Sequence, residues 1–159
     1  MAGFDALYIH TVTLFNRVKG KYGEDALWYP TILNDVHLIV DKSASWNNYG
    51  GQSSDNARLH VRYKTVNGIV MVGNKPWYEP KAWRRLEKPE DAITFGFGNN
   101  DDFDFFVAGA LTEFDSPVSD AMYERGGFYN QMNSYYDNVF AISSVSKKDL
   151  IPHFEIIGR

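Results

Sequence analysis

The sequence predicts a mainly β protein, a small β-barrel or sandwich with a long inter-strand loop and one or two short helices. Seven or more short segments alternate as β-strands do, and turn-forming residues separate them. Aromatic residues make up 16% of the chain, and aromatic side chains favour strands and interfaces. A chain of 159 residues suits one domain with a sizeable core, so we assign residues 1–159 to a single barrel-like domain.

The first part of the chain contains three predicted strands. Residues 9–15 alternate between apolar and polar side chains, as a half-buried strand does. Residues 27–33 predict a second strand, which Pro30 confines to an edge or a bulge because proline has no backbone N–H. A turn at residues 34–35 separates it from a third strand over residues 36–41.

The clearest strand pattern covers residues 57–66, where every second side chain is apolar and is predicted to face the core. Asn67 and Gly68 supply the two positive φ angles of a type I′ hairpin, which leads into a strand at residues 69–72. The exposed side chains of the first strand form a basic row: Arg58, His60, Arg62 and Lys64.

The middle of the chain mixes strands with helices. Residues 80–86 predict a short helix because Pro80 can occupy the first helical position. Residues 92–97 and 103–108 are aromatic-rich and predict strands. Residues 110–138 then predict an excursion of mixed structure outside the barrel strands.

Two short helices are predicted within that excursion. Ser119 is a suitable N-cap for a helix that ends before Gly126, and residues 128–135 predict a second helix. Strand structure returns at residues 139–144. Residues 150–157 contain a proline and therefore predict an edge strand, which could pair with a neighbouring subunit.

Composition excludes several classes of function. The formal net charge is −4 and the pI about 5.5, which argues against tight non-specific binding of DNA or RNA. The chain has no cysteine, which excludes disulfides and thiolate sites. It shows neither a signal peptide nor an apolar run of the roughly 18–20 residues that span a bilayer. We therefore expect a soluble protein made in a cytosol.

Motifs for catalysis are missing. No H-x-x-x-H or H-E-x-x-H spacing occurs, so each histidine is predicted to be solvated or structural. No G-x-S-x-G motif and no phosphate-binding loop occur either. We accordingly predict a protein that is not an enzyme and uses no cofactor. The histidines lie in separate predicted strands: His10, His37, His60 and His153.

Two charged groups leave alternatives open. Asp101, Asp102 and Asp104 can supply oxygen ligands for Ca²⁺ or Mg²⁺, but their spacing is not that of a calcium-binding loop, and a polar turn is favoured. The basic row, together with Arg84 and Arg85, can contact phosphates or an acidic partner. It can also be an ordinary solvated strand face.

The main candidate for function is the long polar loop at residues 42–56. Loops longer than about 12–15 residues are uncommon in compact domains and are usually functional or disordered. This loop is rich in Ser, Asn and Gly, yet it carries two large aromatic side chains. We predict a loop that orders on assembly, with a disordered excursion as the alternative. Its candidate residues are Trp46, Asn47, Asn48, Tyr49, Gly50 and Gly51.

The order of these segments resembles that of known phage proteins. H-T-V-T-L at residues 10–14 and L-N-D-V-H-L at residues 33–38 resemble the opening of small phage head-completion proteins, in which a long loop, a paired strand and a β-barrel core follow. The chain is also similar, along most of its length, to an uncharacterised family found in tailed-phage structural clusters. The matching segments there are residues 100–106, 128–133 and 150–155.

The resemblance implies a head-closure (stopper) protein of the phage neck. It implies a ring of identical subunits, expected to be a hexamer, between an adaptor or connector protein above and a tail terminator or tail tube protein below. In such a ring the loop at residues 42–56 points into the channel, touches packaged DNA transiently and helps to retain it. The subunit is expected to assemble in the host cytoplasm, to reside in the virion neck and to contact no membrane.

The expected interface residues lie on the basic row and in the last strand: Arg58, His60, Arg62 and Phe154. Small stoppers lack a stretch like residues 101–138, which leaves a tail terminator or another tail-completion ring protein as an alternative. A carbohydrate-binding β module that uses Trp46, Tyr49, Trp77 and Trp83 is a hypothesis from a different class. A metal-dependent hydrolase built on the Asp101–Asp104 cluster is another.

Overall fold

The computed structural model describes residues 6–20, 25–41, 56–97, 103–123 and 126–159. Over these residues the chain forms ten strands, two α-helices and two 3-10 helices. In chain order the elements are β1 (His10–Val18), β2 (Leu27–Asp41), β3 (Asn56–Arg62), β4 (Lys64–Val66), β5 (Ile69–Val72), β6 (Lys75–Pro76), α1 (Pro80–Trp83), β7 (Phe105–Ala108), β8 (Val118–Ser119), α2 (Gly127–Tyr135), β9 (Val139–Lys148) and β10 (His153–Gly158), with 3-10 helices at Pro89–Asp91 and Asp120–Met122.

Six of the strands close into an antiparallel barrel. Their order around the barrel is β1, β7, β9, β10, β3 and β2, and β2 pairs back with β1. The prediction of a mainly β protein with a small barrel is therefore confirmed. β8 adds two residues to one end of β2, while β4, β5 and β6 form a separate three-stranded sheet.

β2 is one bent strand where the sequence predicted two strands and a turn. It pairs with β1 as far as Val36 and with β3 from His37 onward. Between these parts Asp35 has a φ of 55°, a left-handed conformation that Asp tolerates better than most residues. The predicted turn is thus a bulge where the strand changes partner. Pro30 lies opposite Phe15 of β1, in a stretch whose other side has no strand partner among the described residues, as its predicted edge position requires.

β10 lies inside the sheet and not at an edge. It pairs with β3 along one side and with β9 along the other. Pro152 precedes the strand, and its carbonyl oxygen accepts a hydrogen bond from the backbone N–H of Tyr63 at 3.3 Å. The prediction of an edge strand at residues 150–157 is wrong because the proline belongs to the preceding turn and interrupts no ladder.

The strand predicted over residues 57–66 is divided at Tyr63. Its first part is β3 in the barrel, and its last part is β4 in the small sheet. Asn67 and Gly68 have φ angles of 52° and 80°, as the predicted type I′ hairpin requires. The predicted inward side of the strand is confirmed by its burial: Ala57, Leu59, Val61 and Tyr63.

The predicted helices form but are short. α1 begins at Pro80, as predicted, and ends at Trp83. Ser119 caps the 3-10 helix that follows it, since its hydroxyl oxygen accepts a hydrogen bond from the backbone N–H of Ala121 at 3.2 Å. α2 covers the second helix predicted in the excursion. Among the described residues no helix is long and apolar enough to cross a membrane.

Residues 92–97 do not form the predicted strand. Their one sheet-like contact is an isolated parallel bridge between Trp77 and Ile93. Ile93 and Phe95 are nevertheless fully buried and belong to the main core, which the inward side chains of the barrel strands form. The apolar pattern of this segment therefore reflects packing of irregular chain on the core and not strand pairing.

The excursion at residues 110–138 covers the outside of the barrel with a second hydrophobic core. Phe128 of α2 is fully buried there, with its ring centroid 5.0 Å from that of Phe15 and 5.8 Å from that of Phe105. As a result β1 is buried on both faces, where the sequence predicted a half-buried strand. The hydroxyl of the buried Thr13 donates to the carbonyl oxygen of Gly109 and accepts from an excursion N–H, each at 2.9 Å.

Candidate functional site

The fold gathers all four histidines of the chain into one row across the barrel surface. This histidine row runs from His10 on β1 through His37 and His60 to His153 on β10. Successive ring centroids lie 6.0, 5.5 and 5.7 Å apart, and the first two pairs are stacked. The histidines lie in four separate strand patterns of the sequence with no metal-binding spacing between them, so the row is a finding of the structure.

The strand register accounts for the row. His37 lies opposite His60 in the pairing of β2 with β3, and His60 lies opposite Glu155 in the pairing of β3 with β10. Cross-strand partners on one face of a sheet are direct neighbours. His10 and His153 then extend the row at its two ends, and each of the four side chains is partly buried.

Tyr8 and Arg62 cover one side of the row. The Tyr8 ring meets His37 edge-on, with centroids 6.2 Å apart, and the Arg62 guanidinium lies 4.3 Å from the centroid of the Tyr8 ring. A cation–π contact of this kind contributes about 0.5–1 kcal/mol at an exposed position. The chain before β1 is thereby attached to the surface of β2 and β3.

Hydrogen bonds orient the two end histidines. The backbone N–H of Leu38 donates to Nδ1 of His10 at 3.1 Å. Nδ1 of His153 lies 2.6 Å from the carbonyl oxygen of Ile151, and it must carry a proton because a carbonyl oxygen only accepts. Nε2 of His153 lies 3.3 Å from Oε1 of Glu155.

The centre of the row pairs an imidazole whose pKa is lowered, His60, with a carboxylate whose pKa is also lowered, Glu155. Burial lowers the pKa of His60, and the neighbouring His153, His37 and Arg58 lower it further, against the opposing effect of Glu155. The hydrogen bond from His153 lowers the pKa of Glu155, with smaller contributions from Lys148 and His60. At neutral pH the centre of the row therefore favours an uncharged His60 and an ionised Glu155.

The predicted interface residues are only partly brought together. Arg58, His60 and Arg62 share the outer face of β3, next to the histidine row, and both arginines are exposed. Phe154 lies in the main core with no exposed surface. The prediction that Phe154 is an interface residue is wrong, because side chains alternate along the central strand β10 and the Phe154 ring faces the core.

The predicted gating residues Trp46, Asn47, Asn48, Tyr49, Gly50 and Gly51 lie outside the described residues. The ends of their loop are described: Asp41, the last residue of β2, lies opposite Asn56, the first residue of β3. A groove of about 620 Å³ lies beside Asp41 and has Arg58 and Arg159 among its other lining residues.

Asp104, the described member of the predicted acidic cluster, is buried inside the protein; Asp101 and Asp102 lie outside the described residues. The Asp104 carboxylate accepts three hydrogen bonds, from Asn16 Nδ2 at 2.8 Å and from the backbone N–H groups of Gly96 at 2.7 Å and Arg17 at 2.8 Å. Asp104 therefore lies neither in the polar turn favoured for it nor in an exposed Ca²⁺ or Mg²⁺ site, because its oxygens already accept hydrogen bonds from two segments, β1 and residue 96. Asp104 connects β1 and β7 to residues 92–97.

Burial raises the pKa of Asp104 from 3.8 to about 6, although its three hydrogen bonds and the charge of Arg84 act in the opposite direction. The folded protein therefore binds a proton in a pH range in which the unfolded chain has already lost it. The contribution of this group to stability is fully present below the unfolded pKa and is lost as the pH rises through the folded pKa.

We expect the difference in unfolding free energy between wild type and Asp104→Asn to depend on pH for this reason. The advantage of wild type should shrink by up to about 3 kcal/mol between pH 4 and pH 7, since each pKa unit is worth about 1.4 kcal/mol. Urea denaturation of both proteins across this range measures the difference, and other titrating groups cancel in the comparison. A constant difference would contradict the raised pKa.

Of the tryptophans proposed for carbohydrate binding, the two that the structure describes do not form a common surface. Trp83 has no exposed surface, and its Nε1 donates to the carbonyl oxygens of Pro89 and Ala92 at 3.1 and 3.3 Å. Trp77 is partly buried with its ring against Phe154, and Trp46 lies outside the described residues. The prediction that Trp83 binds a sugar is wrong, because its ring is buried and its N–H already donates to backbone carbonyl oxygens.

Comparison with known proteins gives a family but no described activity. Residues 7–159 match a family described as a family of unknown function, DUF6751. No curated protein and no solved structure matches the chain. A function must therefore be argued from the residues of this chain.

Proposed function

The chain belongs to the DUF6751 family, and we propose that it is a virion structural protein, the head-closure (stopper) subunit of a tailed-phage neck. In this role it forms a homo-oligomeric ring, held between an adaptor or connector protein and the tail. The loop between β2 and β3 reaches the channel and helps to retain packaged DNA. The proposal assigns the protein no catalytic activity.

The observation that carries the proposal is the way the loop joins a closed barrel. Asp41 and Asn56 lie opposite each other, so residues 42–55 leave and re-enter the barrel at one point. β3 is held on both sides, by β2 and β10. The described ends of the loop are therefore fixed by strand pairing, as the attachment points of a gate on a fixed ring need to be.

Surface composition supports assembly with other proteins. Leu150 and Ile151, in the turn between β9 and β10, are 97% and 50% exposed. Arg58 and Arg62 supply positive charge on the neighbouring barrel face. Apolar contacts with a charged surround are typical of protein interfaces, and a net charge of −4 limits strong retention of DNA that must pass through the channel.

A tail terminator or tail-completion ring is the second candidate. The observation in its favour is the second core, in which Phe128 fixes α2 to the outside of the barrel. The excursion is thus packed on the barrel through its own core and has an outer surface of its own. Tyr135 on that surface is 74% exposed. A subunit of this shape has an additional face with which to contact the tail.

Deleting residues 46–53 tests the loop. We expect the deletion to leave the barrel folded, because both loop ends are held by strand pairing, and to reduce DNA retention in particles complemented with the variant. Circular dichroism of the purified protein checks the fold, and nuclease-protected DNA per particle measures retention. The double substitution Trp46→Ser and Tyr49→Ser keeps the loop length and separates the role of the aromatic side chains from that of length.

Two outcomes would count against the proposal. If particles that carry the deletion assemble and hold their genomes normally, the loop is only a solvated connection between β2 and β3 and has no role in DNA retention. A protein that stays monomeric in native mass spectrometry, and never co-purifies with particles or neck components, would exclude the connector role altogether.

A further inference from the structure

The histidine row contains one cluster whose potential metal-binding atoms converge. One ligand atom from each of His60, His153 and Glu155 lies within 4.8 Å of the other two. His60 is on β3, and the other two are on β10, its hydrogen-bonded neighbour inside the barrel. Ligands held on paired central strands are more rigidly placed than ligands on loops.

We propose that His60, His153 and Glu155 form a binding site for a divalent transition metal ion, with Zn²⁺ as the preferred ion. Two imidazole nitrogens and one carboxylate oxygen suit zinc, whereas Ca²⁺ and Mg²⁺ prefer sites made of oxygen ligands. Three protein ligands leave one tetrahedral position for a water molecule or for a group from a partner.

The distances fit this coordination with little movement. Ligands at about 2.0–2.2 Å from a tetrahedral zinc ion lie about 3.3–3.5 Å from one another. Nε2 of His153 and Oε1 of Glu155 are 3.3 Å apart, which matches that spacing. His60 completes the site by a small side-chain rotation, since its nitrogen already lies within 4.8 Å of both partners.

The hydrogen bond of His153 to the backbone fixes which of its nitrogens faces Glu155. Nδ1 lies 2.6 Å from the carbonyl oxygen of Ile151, and this leaves Nε2 as the nitrogen that faces the Glu155 carboxylate, 3.3 Å from its Oε1. Metal-binding histidines commonly hold their second nitrogen in this way, against a backbone carbonyl.

Neighbouring positive charges limit the affinity of the cluster for cations that bind by charge alone. Lys148 lies close enough to Glu155 to lower its pKa, and Arg58 lies close enough to His60 to lower the pKa of that imidazole. The Arg62 guanidinium lies over the Tyr8 ring. A single carboxylate next to these cations does not attract Mg²⁺ strongly, whereas bonds from two imidazoles retain a transition metal.

The test is calorimetric titration of the untagged full-length protein with ZnCl₂, after removal of metals with a chelator. We expect saturable binding of one zinc ion per chain and no binding of MgCl₂. His60→Gln, His153→Gln and Glu155→Gln should each weaken zinc binding by about tenfold or more, as loss of groups that hold a metal does. His10→Gln is the matched control, because it removes a histidine at the far end of the same row and should leave zinc affinity unchanged.

Two further measurements decide between zinc and a proton as the bridging cation. Zinc should raise the melting temperature of wild type and of His10→Gln but not of His60→Gln, which also shows that each variant folds. Imidazole ¹⁵N NMR should show a change at His153 Nε2 on addition of zinc. A doubly protonated His153 at neutral pH that zinc does not alter would overturn the proposal. Zinc affinity that survives in His60→Gln and His153→Gln would overturn it as well.

Discussion

Asp104→Ala should lower the free energy of unfolding by about 3–5 kcal/mol, because it leaves buried donors without an acceptor. The side chain is 1% exposed, and the three N–H groups that it accepts from come from β1 and from residue 96. Asn16 Nδ2 keeps its other hydrogen bond, to the carbonyl oxygen of Thr94 at 2.7 Å, so the loss falls mainly on the backbone N–H groups of Gly96 and Arg17. Urea denaturation at neutral pH measures the loss.

Gly96 offers a check on the mechanism of that loss. A Cβ atom at Gly96 would lie 2.8 Å from Oδ2 of Asp104, so Gly96→Ala alone should be destabilising. Removing the carboxylate removes this clash, and the double variant should therefore lose less than the sum of the two single variants. Asp115→Ala, at an exposed position, serves as the control and should change stability by less than about 0.5 kcal/mol. A loss of under about 1 kcal/mol for Asp104→Ala would show that water satisfies the donors.

Phe128→Ala should also cost about 3–5 kcal/mol, since it empties the centre of the second core. The ring has no exposed surface and packs against Phe15 at 5.0 Å, Tyr123 at 5.1 Å and Phe114 at 5.4 Å between centroids. The loss has two parts. One is the hydrophobic free energy that burial of the ring contributes, and the other is the cost of the cavity that remains because the surrounding strands relax only partly.

Denaturation followed by tryptophan fluorescence is suited to this variant, because Trp28 lies 6.2 Å from the Phe128 ring. Tyr135→Ala is the matched control, since it removes an aromatic ring from the same helix at a position that is 74% exposed. We expect it to change stability by less than about 0.5 kcal/mol. Equal losses in the two variants would mean that α2 is not held by burial of Phe128.

Local patterns predicted the parts of the fold that depend on local chemistry. Asn67-Gly68 fixes a hairpin by itself, and the alternation of residues 57–63 was enough to assign inward and outward sides. Errors arose where a distant contact decides the outcome. Pro152 is local evidence for an edge, yet barrel closure places β10 between two strands. Thr13 is polar, yet the excursion covers it and satisfies its hydroxyl.

The histidine row was partly accessible from the sequence. If the strands on either side of the long loop pair as a hairpin from Asp41 and Asn56, then His37 and His60 fall opposite each other, as observed. The convergence of His153 and Glu155 on His60 depends on β10 joining β3, a pairing between distant parts of the chain. No spacing motif reveals this contact, because His60 on β3 lies far along the chain from His153 and Glu155 on β10.

The strand pair that closes the loop between β2 and β3 has a consequence for variation and engineering. Because β2 and β3 pair from His37 and His60 up to Asp41 and Asn56, we expect added length between them to cost only the entropy of a longer closed loop, roughly 0.6 kcal/mol for each doubling. The barrel therefore tolerates inserted sequence at this point far better than within its strands. We therefore expect an epitope or a fluorescent reporter inserted at this position to leave the barrel folded.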